Sequence, residues 1–285
     1  MHRSNEIRKS FDNAAASYEK AAIVQNEIGK RLLERLDYIK IDPARILDLG
    51  SGAGQFSRAL KKRYPKAQIL SLDLSFAMLK QSKSQQALWR KWPLVCGSME
   101  ALPFADKSFD LVFSNQVIHW AEDIPALAQE ILRVMQVDGC LMMSTLGPDT
   151  FQELRQSYAA IDNFVHTNSF MDMHDLGDIL QQAQFVDPVI DMEKIMVRYP
   201  SVTAVLQALK AQGVRNMHAN RNAGLSGKSR RQAFEQHYMQ HYQQEGKVPL
   251  SYEVVYIHAW RGAQRLDGEI RETTIPIEAI GRMQR

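Results

Sequence analysis

Three glycines at every second position, Gly50, Gly52 and Gly54, follow an acid, Asp48, at the end of the apolar run Ile46 to Leu49. Such glycines let a backbone reach positive φ and touch a bound group that any Cβ would obstruct. The spacing is not that of a dinucleotide fingerprint, because Gln55 stands where its third glycine would fall. A carboxylate at Asp48 repels phosphate and attracts an ammonium, and a second acid, Asp73, closes the next apolar run, where it can take both hydroxyls of a ribose. A nucleoside with an amino group and no phosphate satisfies both acids. S-adenosylmethionine is such a molecule, and its chemistry is methyl transfer.

These residues need a sheet to hold them. Apolar runs at Arg45 to Leu49, Gln68 to Asp73, Pro93 to Cys96, Phe109 to Ser114 and Cys140 to Thr145 read as strands. Helical patterns at Phe56 to Tyr64, Phe76 to Ser82 and Ile124 to Met135 separate them. The fold class is α/β, a doubly wound Rossmann-like sheet, which binds ligands beyond the carboxyl ends of its strands. The third strand is followed by Gly97, Ser98, Met99 and Glu100, a place for the adenine. The fourth is followed by Ser114, Asn115, Gln116, His119 and Trp120, beside the reacting methyl. Met78 and Met99 read as packing.

Domain organisation follows the same pattern. Residues 1–40 form a helical cover, with Tyr18, Ala21, Gln25, Ile28, Leu32 and Leu36 as the stripe of one amphipathic helix over the ligand mouth. Residues 41–148 form the nucleoside-binding core. Residues 149–260 complete the sheet, with helices at Asp149 to Ile161 and Met173 to Gln184, strands at Val189 to Tyr199 and Leu250 to Trp260, and a helical lid insertion at about 200–248 that includes Val202 to Ala211. Residues 261–285 read as a tail. The 41 residues from Lys194 to Phe234 contain eight cations and no acid, in a chain holding 32 acids. An unneutralised cationic face repels itself and suggests an acidic partner.

Composition bounds the remaining classes. At 285 residues and 45% hydrophobic content the chain is globular. No apolar segment follows MHRSNEIRK, and no run is long enough to span a membrane, so the cytoplasm is the expected compartment. Cys96 and Cys140 sit in apolar runs and read as buried thiols, and no cluster has metal-ligand spacing. A net charge of +3 does not by itself imply nucleic acid.

The segments FDNAAASYEKAAIVQ at 11–25, ILDLGSGAGQFS at 46–57, LDLSFAML at 72–79, ALPFADKSFDLVFSNQVIHW at 101–120, STLGPDTFQELRQSY at 144–158 and LKAQGVRN at 209–216 together resemble the malonyl-acyl-carrier-protein O-methyltransferases of biotin synthesis. The glycine and LPFADKSFD blocks are common to class I methyltransferases, whereas STLGPDTFQELR, LKAQGVRN and the Tyr18 segment are more specific. The resemblance implies esterification of the free carboxylate of malonyl-acyl carrier protein, with S-adenosyl-L-homocysteine as the other product and no general base. It implies cofactor contacts from Gly50, Gly52, Gly54, Asp73 and the loop 97–100, and we expect Asp48, Leu74, Ser98, Met99 and Asn115 among them. Ser98 departs from the pattern, since many relatives carry an acid there. Tyr18 and Trp120 are expected to shape the cavity, with His119, Lys210 and Arg215 around the substrate. Arg215, Arg221, Lys228, Arg230 and Arg231 are expected to dock the acidic carrier. Two alternatives stay open on the residues alone. One is a methyltransferase of a quinone precursor or other small molecule with His119 as base; the other is a nucleic-acid-binding protein using the basic insertion, which lacks aromatic interleaving.

Overall fold

A computed structural model describes residues 2–87, 91–213 and 227–263. Seven strands form one sheet: β1 (Arg45–Leu49), β2 (Gln68–Asp73), β3 (Leu94–Cys96), β4 (Phe109–Asn115), β5 (Met135–Leu146), β6 (Phe185–Tyr199) and β7 (Val248–Arg261). Their order is β3-β2-β1-β4-β5-β7-β6, and β7 alone runs antiparallel to its neighbours. The chain reverses its direction of winding between β1 and β4, so a crevice opens at their carboxyl ends. Burial on both faces explains why β1 and β4 carry adjacent apolar residues, Ile46 with Leu47 and Leu111 to Phe113, rather than strict alternation. At the edge, β6 alternates half-buried with exposed residues, as expected of a strand covered on one face.

The helices are α1 (His2–Ala21), α2 (Ile23–Arg35), α3 (Gln55–Arg63), α4 (Phe76–Ser84), α5 (Ile124–Val134), α6 (Gln152–Ala159), α7 (Met173–Gln182), α8 (Val202–Ala211) and α9 (Lys228–Tyr242). Polar residues set where several of them start. Ser75 accepts from the Met78 N–H, Asp123 from Ala126, Asp172 from His174 and Ser201 from Ala204, each satisfying a backbone donor that the first turn leaves free. In α5, Leu127, Ala128, Ile131 and Val134 share one buried face. Arg133, on the same helix, ties the LPFADKSFD loop with bonds to Asp106 and to the carbonyls of Leu102 and Phe104.

Several expectations are corrected. The N-terminal stripe is two helices, broken at Ala22, whose ψ of 41° leaves the helical region. Tyr18 and Ala21 belong to α1, which begins near the N-terminus, and Gln25 to α2. The helix expected from Asp149 begins at Gln152, because Phe151 takes φ +60° while its N–H bonds the Ser251 carbonyl. Strand β5 starts at Met135, before Cys140. Cys140 is buried, but Cys96 ends a three-residue strand and is exposed. Among the described residues, four cations of the basic segment are paired: Lys194 with Asp149, Arg198 with Glu245, Arg230 with Asp162 and Arg231 with Glu235. Acids distant in sequence supply three of those four partners, which a scan of the segment alone could not find. No described helix is long and apolar enough to cross a membrane. The tail beyond residue 263 lies outside the described residues.

Candidate active site

A cavity with about 770 Å³ of empty space, part of it continuous with solvent, lies at the carboxyl ends of β1, β2, β3 and β4. The turn after β1 supplies Gly50 and Gly52. From the end of β2 come Leu72, Asp73 and Leu74; Gly97, Ser98, Met99 and Glu100 follow β3; Asn115, Gln116, Val117 and Trp120 come from the end of β4 and the turn after it. Helix α1 closes the cavity with Ser4, Ile7, Phe11 and Tyr18, residues on one face of that helix. Met78, expected as packing, is buried and also lines it.

Gly52 has φ +53°, and a Cβ there would project into the cavity with only Tyr18 Cε1 near it, at 3.9 Å. A ligand can therefore lie directly against that backbone. The Gly52 N–H donates to Asp73 Oδ2 at 2.7 Å, and Ser75 N–H to Oδ1 at 2.8 Å, fixing the carboxylate with further lone pairs available to ligand hydroxyls. Burial pushes the Asp73 carboxyl up to about 6, against the pull of its backbone hydrogen bonds. Asp73 and Glu100 line the cavity, while no lysine or arginine is among its described lining residues. That charge pattern suits a cationic nucleoside and disfavours a pyrophosphate. The residues fit S-adenosylmethionine.

The other two acid and glycine positions play different parts. Asp48 does not line the cavity; it is buried, and its carboxylate accepts from the Ser57 hydroxyl of α3. Ser57 also bonds Ser71, which accepts from Trp92 Nε1 at 2.8 Å. Burial raises the Asp48 carboxyl to about 7, with Ser57 opposing. Gly54, at the start of α3, also stands outside the lining. Its φ is +78° and a Cβ would strike the Ser82 hydroxyl at 2.1 Å, so it permits α3 to pack on α4.

A second cavity of about 430 Å³ shares Phe11, Tyr18, Gln116 and Trp120 with the first. Phe11 meets Trp120 edge-on at 5.5 Å and Tyr18 at 6.2 Å, so an aromatic collar separates the two spaces. Desolvation, aided by the Asp73 charge, pushes the Tyr18 phenol up to about 12 and keeps it protonated. His119 lines the second cavity and lies 3.3 Å from the Thr145 hydroxyl. Asn115 lines only the first, donating to the Gln25 carbonyl and accepting from Ser144.

The family described as "Methyltransferase domain" matches residues 47–143. A malonyl-acyl-carrier-protein O-methyltransferase of Legionella pneumophila is 53% identical over 98% of this chain and 99% of its own length. One of Gallionella capsiferriformans is 46% identical, covering 92% of each. The chain belongs to the malonyl-acyl-carrier-protein O-methyltransferase family. Among solved structures, the YcgJ protein of Bacillus subtilis superposes with a TM-score of 0.59 at 16% identity over 81% of this chain and 98% of that one, which shows the fold.

Within this family member the one expected substrate cation that is described does not line the cavities. Lys210 is exposed at the end of α8 and lines neither; Arg215 and Arg221 lie outside the described residues. Of the expected docking residues, Lys228 and Arg231 are exposed, whereas Arg230 is half-buried, paired with Asp162 and set over the Phe164 ring. The sequence reading missed Phe151, Asn168, Phe170, Gln212 and Tyr252 as cavity residues. Gln212 and Phe151 sit inside or next to the motifs LKAQGVRN and STLGPDTFQELR, and that placement was the available signal.

Proposed function

We propose that the protein is an S-adenosylmethionine-dependent carboxyl O-methyltransferase that esterifies the free carboxylate of malonyl-acyl carrier protein, at the start of biotin (pimeloyl) synthesis. The observation that carries this reading is a pair of adjacent cavities that share an aromatic collar: an acid-lined nucleoside site beside a smaller chamber with no charged side chain among its described lining residues. Family membership narrows the acceptor to the malonyl thioester.

When bound, S-adenosylmethionine supplies an activated methyl group. Asp73, the Gly50–Gly52 backbone and the loop 97–100 hold its nucleoside and amino acid parts on the floor, while α1 closes over them. A malonyl carboxyl with the ~4 pKa of ordinary carboxylic acids is ionised at neutral pH, so no side chain needs to remove a proton. The work of Tyr18, Phe11 and Trp120 is to exclude water and align the carboxylate oxygen with the methyl at near-attack distance. His119 is not required as a base in this reading. Exposed cations of the inserted helices, Lys210 and Lys228, with Arg215 and Arg221, receive the acidic carrier.

The test is methyl transfer from labelled S-adenosylmethionine to malonyl-acyl carrier protein, with free malonate, RNA and a quinone precursor as rival acceptors. Turnover confined to the malonyl thioester is the expected result; preferred methylation of any rival overturns the reading.

A further inference from the structure

The second cavity holds an arrangement that the methyl donor does not explain. No lysine, arginine, aspartate or glutamate is among its described lining residues. Tyr252 on β7 is 1% exposed, and its hydroxyl has no hydrogen-bond partner. Gln212, just past α8, is 2% exposed and accepts at Oε1 from Gln25 Nε2 at 3.0 Å. The buried Oε1 of Gln25 has no partner either. Tyr252 stands close enough to Tyr199 and Gln212 to feel their side chains, yet with neither does it make a hydrogen bond of proper geometry. An unmade bond at a buried polar atom is costly, so two facing one small chamber mark a place that a ligand completes. Phe151 packs edge-on against the Tyr252 ring at 5.0 Å and holds the phenol in place.

We propose that Tyr252 and Gln212 form the acyl subsite, donating uncharged hydrogen bonds to the substrate's carboxylate, with Gln25 orienting the Gln212 amide. This assignment rests on the functional reading above. Gln212 Oε1 is occupied by Gln25, so its Nε2 is the end left to donate. In this orientation Gln212 is the donor of the pair; rotation of both amides together would make Gln25 the outward donor and Gln212 the outward acceptor. Neutral donors also suit the reaction. The carboxylate and the sulfonium both lose charge as the methyl moves, so a fixed cation on the carboxylate would stabilise the ground state more than the transition state. An uncharged subsite orients the nucleophile without that penalty.

The experiment compares wild type with Tyr252→Phe, Gln212→Leu and Gln212→Glu in steady-state methylation of malonyl-acyl carrier protein. Calorimetric affinity for S-adenosylhomocysteine and the melting temperature are measured in parallel. Loss of a hydrogen bond to a charged group predicts that Tyr252→Phe and Gln212→Leu each lower kcat/KM by about 10- to 100-fold. S-adenosylhomocysteine affinity stays within about two-fold, since neither residue lines the first cavity. Gln212→Glu sets a carboxylate against the substrate's own, so its rate falls at pH 8 and recovers toward pH 5.5, a profile that a packing defect would not give. Wild-type kcat/KM in both Tyr252→Phe and Gln212→Leu overturns the assignment. If Tyr252→Phe unfolds, the pH profile of the isosteric Gln212→Glu decides alone. A wild type that binds S-adenosylhomocysteine but leaves the malonyl thioester unmethylated overturns the functional reading together with this subsite; turnover with indifferent variants overturns the subsite only.

Discussion

At the scale of single residues, two buried acids, one behind the site and one lining it, set the pH behaviour of the fold. Asp48 is raised to about 7 and Asp73 to about 6 from an ordinary 3.8, mainly by loss of water. Folded protein therefore holds these protons more tightly than unfolded chain. The stability they contribute is complete below pH ~4 and lost as pH rises through 6 to 7. The ligand-free protein should melt several degrees lower at pH 8 than at pH 5, and Asp48→Asn, which mimics the protonated form, should recover part of the difference. Thermal melts across that range check it; an undiminished fall in the variant would speak against Asp48 as a source. Asp73 accepts from ligand hydroxyls with all its oxygens only when ionised, so S-adenosylhomocysteine affinity should also rise between pH 5.5 and 8. The Trp120 ring belongs to the same scale. Trp120→Ala opens the collar on both cavities, and should lower kcat about 10- to 100-fold by admitting water and loosening alignment, with a smaller effect on cofactor affinity. What the residue types could not disclose was direction. Asp48 and Asp73 look equivalent as acids ending strands, but Ser57, nine residues on, captures the first. Gln25 and Gln212 meet across 187 positions, and no local pattern announces such a pair.

At the scale of elements, α1 carries the most function for its length. It reaches the ends of three others: Asp12 accepts from the Ser75 hydroxyl at 2.5 Å and from the Ala77 N–H at 3.3 Å, Ser10 donates to the Gly213 carbonyl at 2.9 Å, and Glu19 accepts from Arg58 and Gln85. These bonds span α4, the chain after α8, and α3, so the helix straps the cofactor cavity shut. Removal of a charge-assisted bond is worth about 1.5–3 kcal/mol. Asp12→Ala should therefore weaken S-adenosylhomocysteine binding by about 10-fold and expose α1 amides to faster hydrogen exchange, with the sheet amides unchanged. Equal protection in both proteins would remove the strap. Strands β1, β2 and β4 and helices α4, α5 and α8 were legible because apolar runs and polar caps coincide there. Helix α1 was not, since the face it turns to the cavity is Ser4, Ile7, Phe11 and Tyr18, mixed in polarity to suit a ligand rather than a core. The break at Ala22 was hidden as well, because the apolar spacing continues across it.

At the scale of the whole molecule, the sheet order brings chemistry from both ends of the chain to one rim. The switch between β1 and β4 makes the nucleoside site, and the antiparallel return of β7 delivers Tyr252 to the chamber beside it. The sequence showed the winding and the late basic insertion; which cations remain available was settled only by folding, since Lys194, Arg198, Arg230 and Arg231 found acids. The proposed docking then draws on the exposed ammonium groups of Lys210 and Lys228, together with Arg215 and Arg221. Rim charges act mainly on encounter, and their effect is screened over about 8–10 Å at physiological salt. Lys210→Glu with Lys228→Glu should thus raise the KM for malonyl-acyl carrier protein several-fold while leaving kcat, S-adenosylhomocysteine affinity and turnover of a short malonyl thioester without the carrier unchanged. The wild-type KM for the carrier-bound substrate should itself rise from 50 to 300 mM salt, and that rise should be smaller in the double variant because fewer charges are left to screen. A carrier KM that ignores both the reversal and the salt would place the docking face elsewhere on the molecule; a loss shared by the short thioester would mean that these lysines act on the chamber rather than on the carrier.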